Sequence, residues 1–243
     1  MTKSIFNKVA GLLLATIPAF ASASGGATLE PSGVNLNDRA SLQRGAALFI
    51  NYCSGCHSLG YQRYSRVAED LGIPEEQMTK YLIFTGAKIG EPMRSALSAE
   101  DGEKFFGKAP PDLSLVARAK LGGPDWTYNF LKSFYADESR PSGWNNTILP
   151  GASMPNVLWE LQGTQRAITA DEHGTIRLEL ATPGQQSPEQ FDRTVRDIVN
   201  FLNYVGEPAA IKRQATGVWV ILFLTVFTLL AWLLKKEYWK DIH

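Results

Sequence analysis

The hydrophobic pattern of this chain predicts a mainly α domain with one small β-hairpin and a single C-terminal transmembrane helix. Three observations carry that reading. Apolar residues recur at helical spacing in several segments that begin with capping residues. Only residues 165–181 alternate as a strand pair does, with Ile168, Ile176, Leu178 and Leu180 about a turn at Glu172-His173-Gly174. Finally, about 20 residues from Ala215 to Leu234 run without a charge, the length a helix needs to cross a membrane.

The two ends set the organisation. Met1 to Ala23 has Lys3 and Lys8, an apolar run from Val9 to Phe20, and small residues around Ala21 and Ala23. This is the pattern of a secretory signal peptide, and the apolar run is too short to span a bilayer comfortably. The expected domains are therefore a signal peptide (1–23), an exported periplasmic domain (24–210), an anchor (211–236) and a cytoplasmic tail (237–243). Trp219 at one end of the apolar run and Trp232, Tyr238 and Trp239 at the other suit interfacial belts. Lysines or arginines flank both ends, so charge bias leaves the orientation open and the leader decides it.

Charged residues make up 20% and hydrophobic ones 44%, an ordinary globular mixture without a disordered bias. The formal net charge is zero, which gives no electrostatic reason to expect nucleic acid. Without the lysines of the leader and the charges of the tail, the exported part is slightly acidic, compatible with docking a basic soluble carrier.

Along the exported part, residues 24–36 read as an extended arm. Asn37 or Asp38 caps a helix carrying Leu42, Ala46, Phe49 and Ile50 on one face. Pro74 opens a helix to Phe84, with Glu75 and Glu76 in its first turn. Ser98-Ala-Glu-Asp101 resembles a capping box for a short helix to Phe106. The prolines of Ala109-Pro-Pro-Asp-Leu-Ser114 cannot sit inside a helix, so they make a rigid lead-in to one ending near Lys120. Gly122-Gly123 stops that helix, and Pro124 starts another with Trp126, Phe130, Leu131 and Phe134. Residues 137–156 read as a long loop able to wrap a ligand. Ser187-Pro-Glu-Gln190 starts a helix through Val205, whose stripe Phe191, Val195, Ile198, Val199 and Leu202 is expected to pack on the first helix.

The chemistry lies in Cys53-Ser-Gly-Cys56-His57, which contains both cysteines of the chain. C-x-x-C-H is the pattern of covalent c-type haem attachment. Two thiols three positions apart in one turn can each form a thioether to a haem vinyl group, and the next residue offers an imidazole to the iron. A four-thiolate iron–sulfur cluster and a Cys-rich zinc site are excluded by count. The competing reading, a redox-active C-x-x-C, normally sits within a βαβ pattern that is absent from this sequence.

A low-spin electron-transfer haem needs a sixth ligand. Besides His57 the chain has only His173, in the predicted polar turn, and His243, beyond the anchor. Methionine remains, and a Met/His pair raises the reduction potential. Met154 is best placed, in a long loop and held extended by Pro155. Met93 and Met78 are the other candidates, and for each the competing role is core packing.

These residues together resemble the cytochrome c1 family, the haem c subunits of cytochrome bc1 complexes. The resemblance rests on Cys53 to His57, Ala109 to Ser114, Arg118-Ala119 with Gly122-Gly123, Met154-Pro155, Glu207-Pro208 and the single C-terminal span. The stretch Arg140-Pro-Ser-Gly-Trp-Asn-Asn146 is similar to proteobacterial members. The resemblance implies a class I cytochrome c-like haem domain with one covalent haem c. It implies iron ligation by His57 and Met154, attachment through Cys53 and Cys56, Pro111 packing near the haem, and Arg118 pairing with a propionate. Animal members have arginine where this chain has Lys120, and the segment before Ala109 is shorter than in mitochondrial members.

The implied function is electron transfer, not bond chemistry by the chain alone. One electron passes from a Rieske iron–sulfur protein to a cytochrome c, beside cytochrome b, on the outer face of the inner membrane. The alternatives are an anchored monohaem cytochrome of another respiratory complex, an open-site haem enzyme or sensor, and a tethered thiol oxidoreductase.

Overall fold

Helix caps and prolines set most of the element boundaries. The computed structural model describes residues 29–169 and 176–240. Its elements are α1 (Arg39–Tyr52), β1 (Leu59–Arg63), α2 (Tyr64–Leu71), α3 (Glu75–Leu82), β2 (Pro92–Met93), α4 (Ala99–Phe106), α5 (Val116–Ala119) and α6 (Gly123–Lys132). There follow β3 (Phe134–Ala136), β4 (Trp144–Asn146), α7 (Trp159–Gln162), β5 (Gly163–Thr169), β6 (Ile176–Pro183), α8 (Pro188–Gly206) and α9 (Ala210–Tyr238). The mainly helical class and the β5–β6 hairpin are as the sequence predicts. The leader, the turn with His173, and His243 lie outside the described residues.

The caps explain where helices start. Asp38 accepts the Ser41 N–H at 3.0 Å to begin α1, and Ser98 accepts the Asp101 N–H at 3.0 Å to begin α4. At α8 both halves of the capping box form: Ser187 Oγ accepts from the Gln190 N–H at 3.3 Å, and the Gln190 side chain accepts from the Ser187 N–H at 2.9 Å.

The differences from expectation lie in short elements. Phe134 leaves α6 for β3, because that strand pairs antiparallel with β4 in the register Phe134↔Asn146, Tyr135↔Asn145 and Ala136↔Trp144. The stretch read as a 137–156 loop therefore contains a strand. β1 and α2 were not expected at all. β1 exists because Leu59 finds Met93 on β2, a pairing between distant segments that no local pattern encodes. α3 stops at Leu82, short of Phe84, with Pro74 as its cap rather than its first residue.

The core is organised by the crossing of α1 and α8. Leu42, Ala46, Phe49 and Ile50 from α1 meet Val195, Ile198, Phe201 and Leu202 from α8, and all are buried. Phe49 and Phe201 pack with ring centroids 5.9 Å apart. Burial of each such side chain contributes about 1.5–3 kcal/mol. The helices touch at Gly45, where an added Cβ lies 2.0 Å from the Asp197 carbonyl oxygen and 2.7 Å from Phe201 Cβ. Arg44 grips Asp197 beside this point with two bonds, at 2.6 and 3.0 Å. Asn200 adds donations to the Asn35 carbonyl at 2.9 Å and Ser41 Oγ at 3.0 Å.

α8 is also tied to the segment after the cysteine motif. The Tyr204 hydroxyl donates to Asp70 at 2.9 Å, and Gln62 donates to the Val205 carbonyl at 3.1 Å. The chain then turns at Glu207, which pairs with Arg118 on α5 and with Arg213 on α9 at 2.9 Å. α9 is 29 residues long and apolar, and none of its most hydrophobic window is buried. At ~1.5 Å per residue it reaches ~43 Å, more than the ~30 Å of a hydrocarbon core. Its exposed Val, Leu, Ile and Phe side chains suit lipid, and among the described residues it is the one candidate membrane span.

Gly45→Ala is expected to destabilise the domain by about 3 kcal/mol, because the clash is with backbone and both helices must shift. Denaturant unfolding of the detergent-solubilised chain measures this. A wild-type midpoint would contradict the crossing described.

Candidate haem-attachment site

α1 ends by closing one tight turn over the cysteines. Cys53 is its C-terminal cap and donates its N–H to the Phe49 carbonyl at 2.8 Å. The Cys56 and His57 N–H groups both return to the Cys53 carbonyl, at 3.1 and 2.8 Å. The two thiols are free, Cys53 buried and Cys56 half-buried. Burial pushes the Cys53 thiol up to about 12, with the charge of Cys56 adding to the effect.

His57 is oriented by a single bond. Its Nδ1 lies 2.8 Å from the Pro111 carbonyl oxygen. A carbonyl only accepts, so Nδ1 carries the proton and Nε2 keeps its lone pair. Burial holds the imidazole pKa below its ordinary value, outweighing the Pro111 bond and the Asp112 charge that act the other way. The ring is thus neutral at neutral pH, the form that ligates a metal.

The Ala109 to Ser114 segment is docked on the motif by more than this bond. The Leu113 N–H donates to the Ser58 carbonyl at 2.9 Å, and the Gly60 N–H donates to Asp112 Oδ2 at 2.7 Å. Asp112 Oδ1 accepts from the Ser114 N–H at 2.7 Å. Burial works against the charge of Asp112, but these bonds and nearby Arg94 hold its pKa below the usual carboxylate value. On the other side, Ser95 donates from Oγ to the Gly55 carbonyl at 2.8 Å and from its N–H to Ser58 Oγ at 2.9 Å. Residues 53–60 are therefore held by two distant loops.

The methionines sort by burial. Met78 and Met93 fill the core at 1% and 4% exposure, Met93 opposite Leu59 on the β1–β2 pair. Met154 is partly buried and packs on the core cluster that includes Cys53. Its loop is built by two asparagines that sequence reading did not single out. Asn146, fully buried, donates to the Phe130 carbonyl at 2.8 Å and accepts from the Ile148 and Leu149 N–H groups at 2.8 and 3.1 Å. Asn145 accepts from the Gly151 N–H at 2.8 Å. The available signal was an Asn pair in a turn-rich stretch beside a candidate ligand, since Asn side chains mimic backbone turns.

Arg118 turns its guanidinium to Glu207. Lys120 stands over the Trp126 ring, 4.4 Å from its centroid. Among the described residues, no three His, Cys, Asp or Glu side chains converge as a metal site. The motif offers one imidazole and two free thiols, and Met154 lies on a separate, partly buried loop packed on the core. Such a set fits haem c, whose porphyrin brings the four equatorial nitrogens itself.

Comparison with known proteins agrees with this chemistry. The family described as the Cytochrome C1 family matches residues 32–92 and 87–242. The chain is 48% identical to a protein of Allochromatium vinosum named cytochrome c1, over 97% of this chain and 98% of that one. It is 44% identical to a protein of Nitrosomonas europaea named ammonia monooxygenase gamma subunit, over 96% and 97%. A Bradyrhizobium diazoefficiens protein named cytochrome b/c1 is 25% identical over 85% of this chain and 34% of its own length.

Asn146→Ala removes the partner of three backbone groups and is expected to cost about 2–4 kcal/mol, read as a drop in unfolding midpoint. The depressed pKa of Asp112 gives stability that is present above the ordinary carboxylate pKa and lost as pH falls through the folded value. Asp112→Asn is therefore expected to flatten the acid limb of a stability–pH profile; an unchanged limb contradicts the Asp112 bonds.

Proposed function

This chain belongs to the cytochrome c1 family, and on that basis we propose that it is the electron-transfer subunit of a quinol–cytochrome c oxidoreductase. It takes one electron from a Rieske iron–sulfur protein and gives it to a cytochrome c, while α9 holds it beside a cytochrome b. A relative named cytochrome b/c1 supports that last association. The leader supports an exported haem domain, in the periplasm on the outer face of the inner membrane, with residues 237–243 in the cytoplasm. The chain is a carrier within an oxidoreductase complex, not an enzyme on its own.

The cofactor is one covalent haem c, which when bound supplies one-electron iron chemistry. The chain's residues do the rest. Cys53 and Cys56 would attach the porphyrin through thioethers, and His57 Nε2 and the Met154 sulfur would hold the iron. The Pro111 carbonyl fixes the imidazole's tautomer and raises its donor strength. Arg118 uses one nitrogen for Glu207 and keeps further donors for a propionate. The buried core behind Cys53 excludes water, and with the ligation by His57 and Met154 it would tune the potential.

The observation that carries the reading is the His57 ring, its Nδ1 engaged by Pro111, following two free thiols. Spectra of the oxidised and reduced protein test it; low-spin haem c is the expected result, and a colourless protein ends the proposal. Met154→Ala is expected to lower the reduction potential and let the reduced iron bind carbon monoxide. Unchanged coordination in that variant would remove Met154 from the iron. The relative named as an ammonia monooxygenase subunit favours a second reading, the same anchored haem domain serving a membrane oxygenase. Co-purification with a di-haem cytochrome b and a Rieske protein, or with an oxygenase, separates the two.

A further inference from the structure

We propose that Asp112 is the positioning residue of the iron's histidine: it locks the Pro111 carbonyl onto His57 and thereby sets the donor strength of Nε2. The inference rests on the reading of His57 as an iron ligand and concerns a residue outside that ligand set.

The His57 orientation depends on one hydrogen bond, from Nδ1 to the Pro111 carbonyl at 2.8 Å. A carbonyl on a loop can serve this way only if the loop cannot drift. Pro110 and Pro111 restrict the backbone but donate no N–H, so they contribute no bond that holds the loop down. The next anchors are the Leu113 N–H to the Ser58 carbonyl at 2.9 Å and the carboxylate of Asp112. Asp112 is the side chain that acts on both segments at once. Oδ1 accepts the Ser114 N–H at 2.7 Å and fixes the turn of its own loop. Oδ2 accepts the Gly60 N–H at 2.7 Å and pins that loop to the motif three residues past His57. Ser114 extends the seam by accepting the Tyr61 N–H at 3.2 Å.

The approach is close enough to require the residue opposite to be small. A Cβ on Gly60 would lie 2.9 Å from Asp112 Oδ2. Only an acceptor with two oxygens on a one-carbon stem spans Gly60 and Ser114 together. Asparagine keeps one oxygen and must give up one of the two bonds. Glutamate keeps the charge but moves it one methylene further. An imidazole that donates firmly from Nδ1 is the better electron donor at Nε2 and stabilises ferric iron. A loosened clamp therefore raises the reduction potential.

The test uses the full-length, haem-loaded chain in detergent, with Asp112→Ala, Asp112→Asn and Asp112→Glu. Two quantities are read: solvent exchange of the His57 Nδ1 proton by NMR in the reduced protein, and the midpoint potential. Asp112→Ala is expected to speed exchange about tenfold, the factor that goes with about one net hydrogen bond, and to raise the potential. Asp112→Asn should move both less, and Asp112→Glu should also move both although it keeps the charge. Equal potential shifts for Ala and Asn with none for Glu, and wild-type exchange throughout, would mean that Asp112 acts only as a charge, which overturns the proposal. Unchanged exchange and potential in all three variants overturn it as well. If the wild type itself lacks a low-spin haem spectrum, the reading of the site fails instead, so the two failures are distinguishable.

Discussion

Gly45 lets α1 and α8 approach until the space for a side chain is gone, and the arrangement of the site follows from that contact. The C-terminus of α1 becomes the cysteine motif, and α8 leads through Glu207 into the anchor helix. One crossing therefore fixes both the element that delivers the thiols and the element that enters the membrane. The Arg44–Asp197 pair beside Gly45 sets the register of the crossing. A buried carboxylate left unpaired would be costly, so this pair specifies a geometry more than it adds stability.

Around this scaffold the motif is held by bonds from distant segments. Residues 53–58 form no regular element beyond one turn, and such a turn exposed to solvent has many conformations. The loop of Pro111 and Asp112 holds it from one side and Ser95 from the other. His57 is thereby left with one free nitrogen lone pair in one direction. For an electron carrier this rigidity has a purpose: a site that changes little between oxidation states needs little reorganisation when an electron arrives. The Asn145 and Asn146 side chains extend the same principle to the loop of Met154, replacing a missing strand or helix with side-chain bonds to backbone.

The long elements were legible because their signals are local. Asp38, Ser98 and Ser187 each cap a helix through a bond to a residue three positions on. The apolar stripe of α8 and the charge-free run of α9 are likewise visible in a window of a few turns. β1, α2 and the β3–β4 pair were not legible. Their stability comes from partners far along the chain, as Leu59 meets Met93 and Phe134 meets Asn146. From the sequence, Arg118 is expected at a propionate; the structure shows its guanidinium paired with Glu207, just before α9.

By itself the sequence determined which groups are available. Two cysteines and one adjacent histidine in a five-residue motif define an attachment chemistry whatever fold surrounds them, because the spacing of the reacting groups is covalent. Likewise a long uncharged run carries its own hydrophobic free energy. Only the tertiary structure decided how those groups are aimed. The tautomer of His57, the clamp made by Asp112 and the pairing that buries Met93 against Leu59 all depend on contacts between segments tens of residues apart. Such contacts form when burial and hydrogen bonding outweigh the entropy of closing the intervening chain, and that balance is a property of the whole fold.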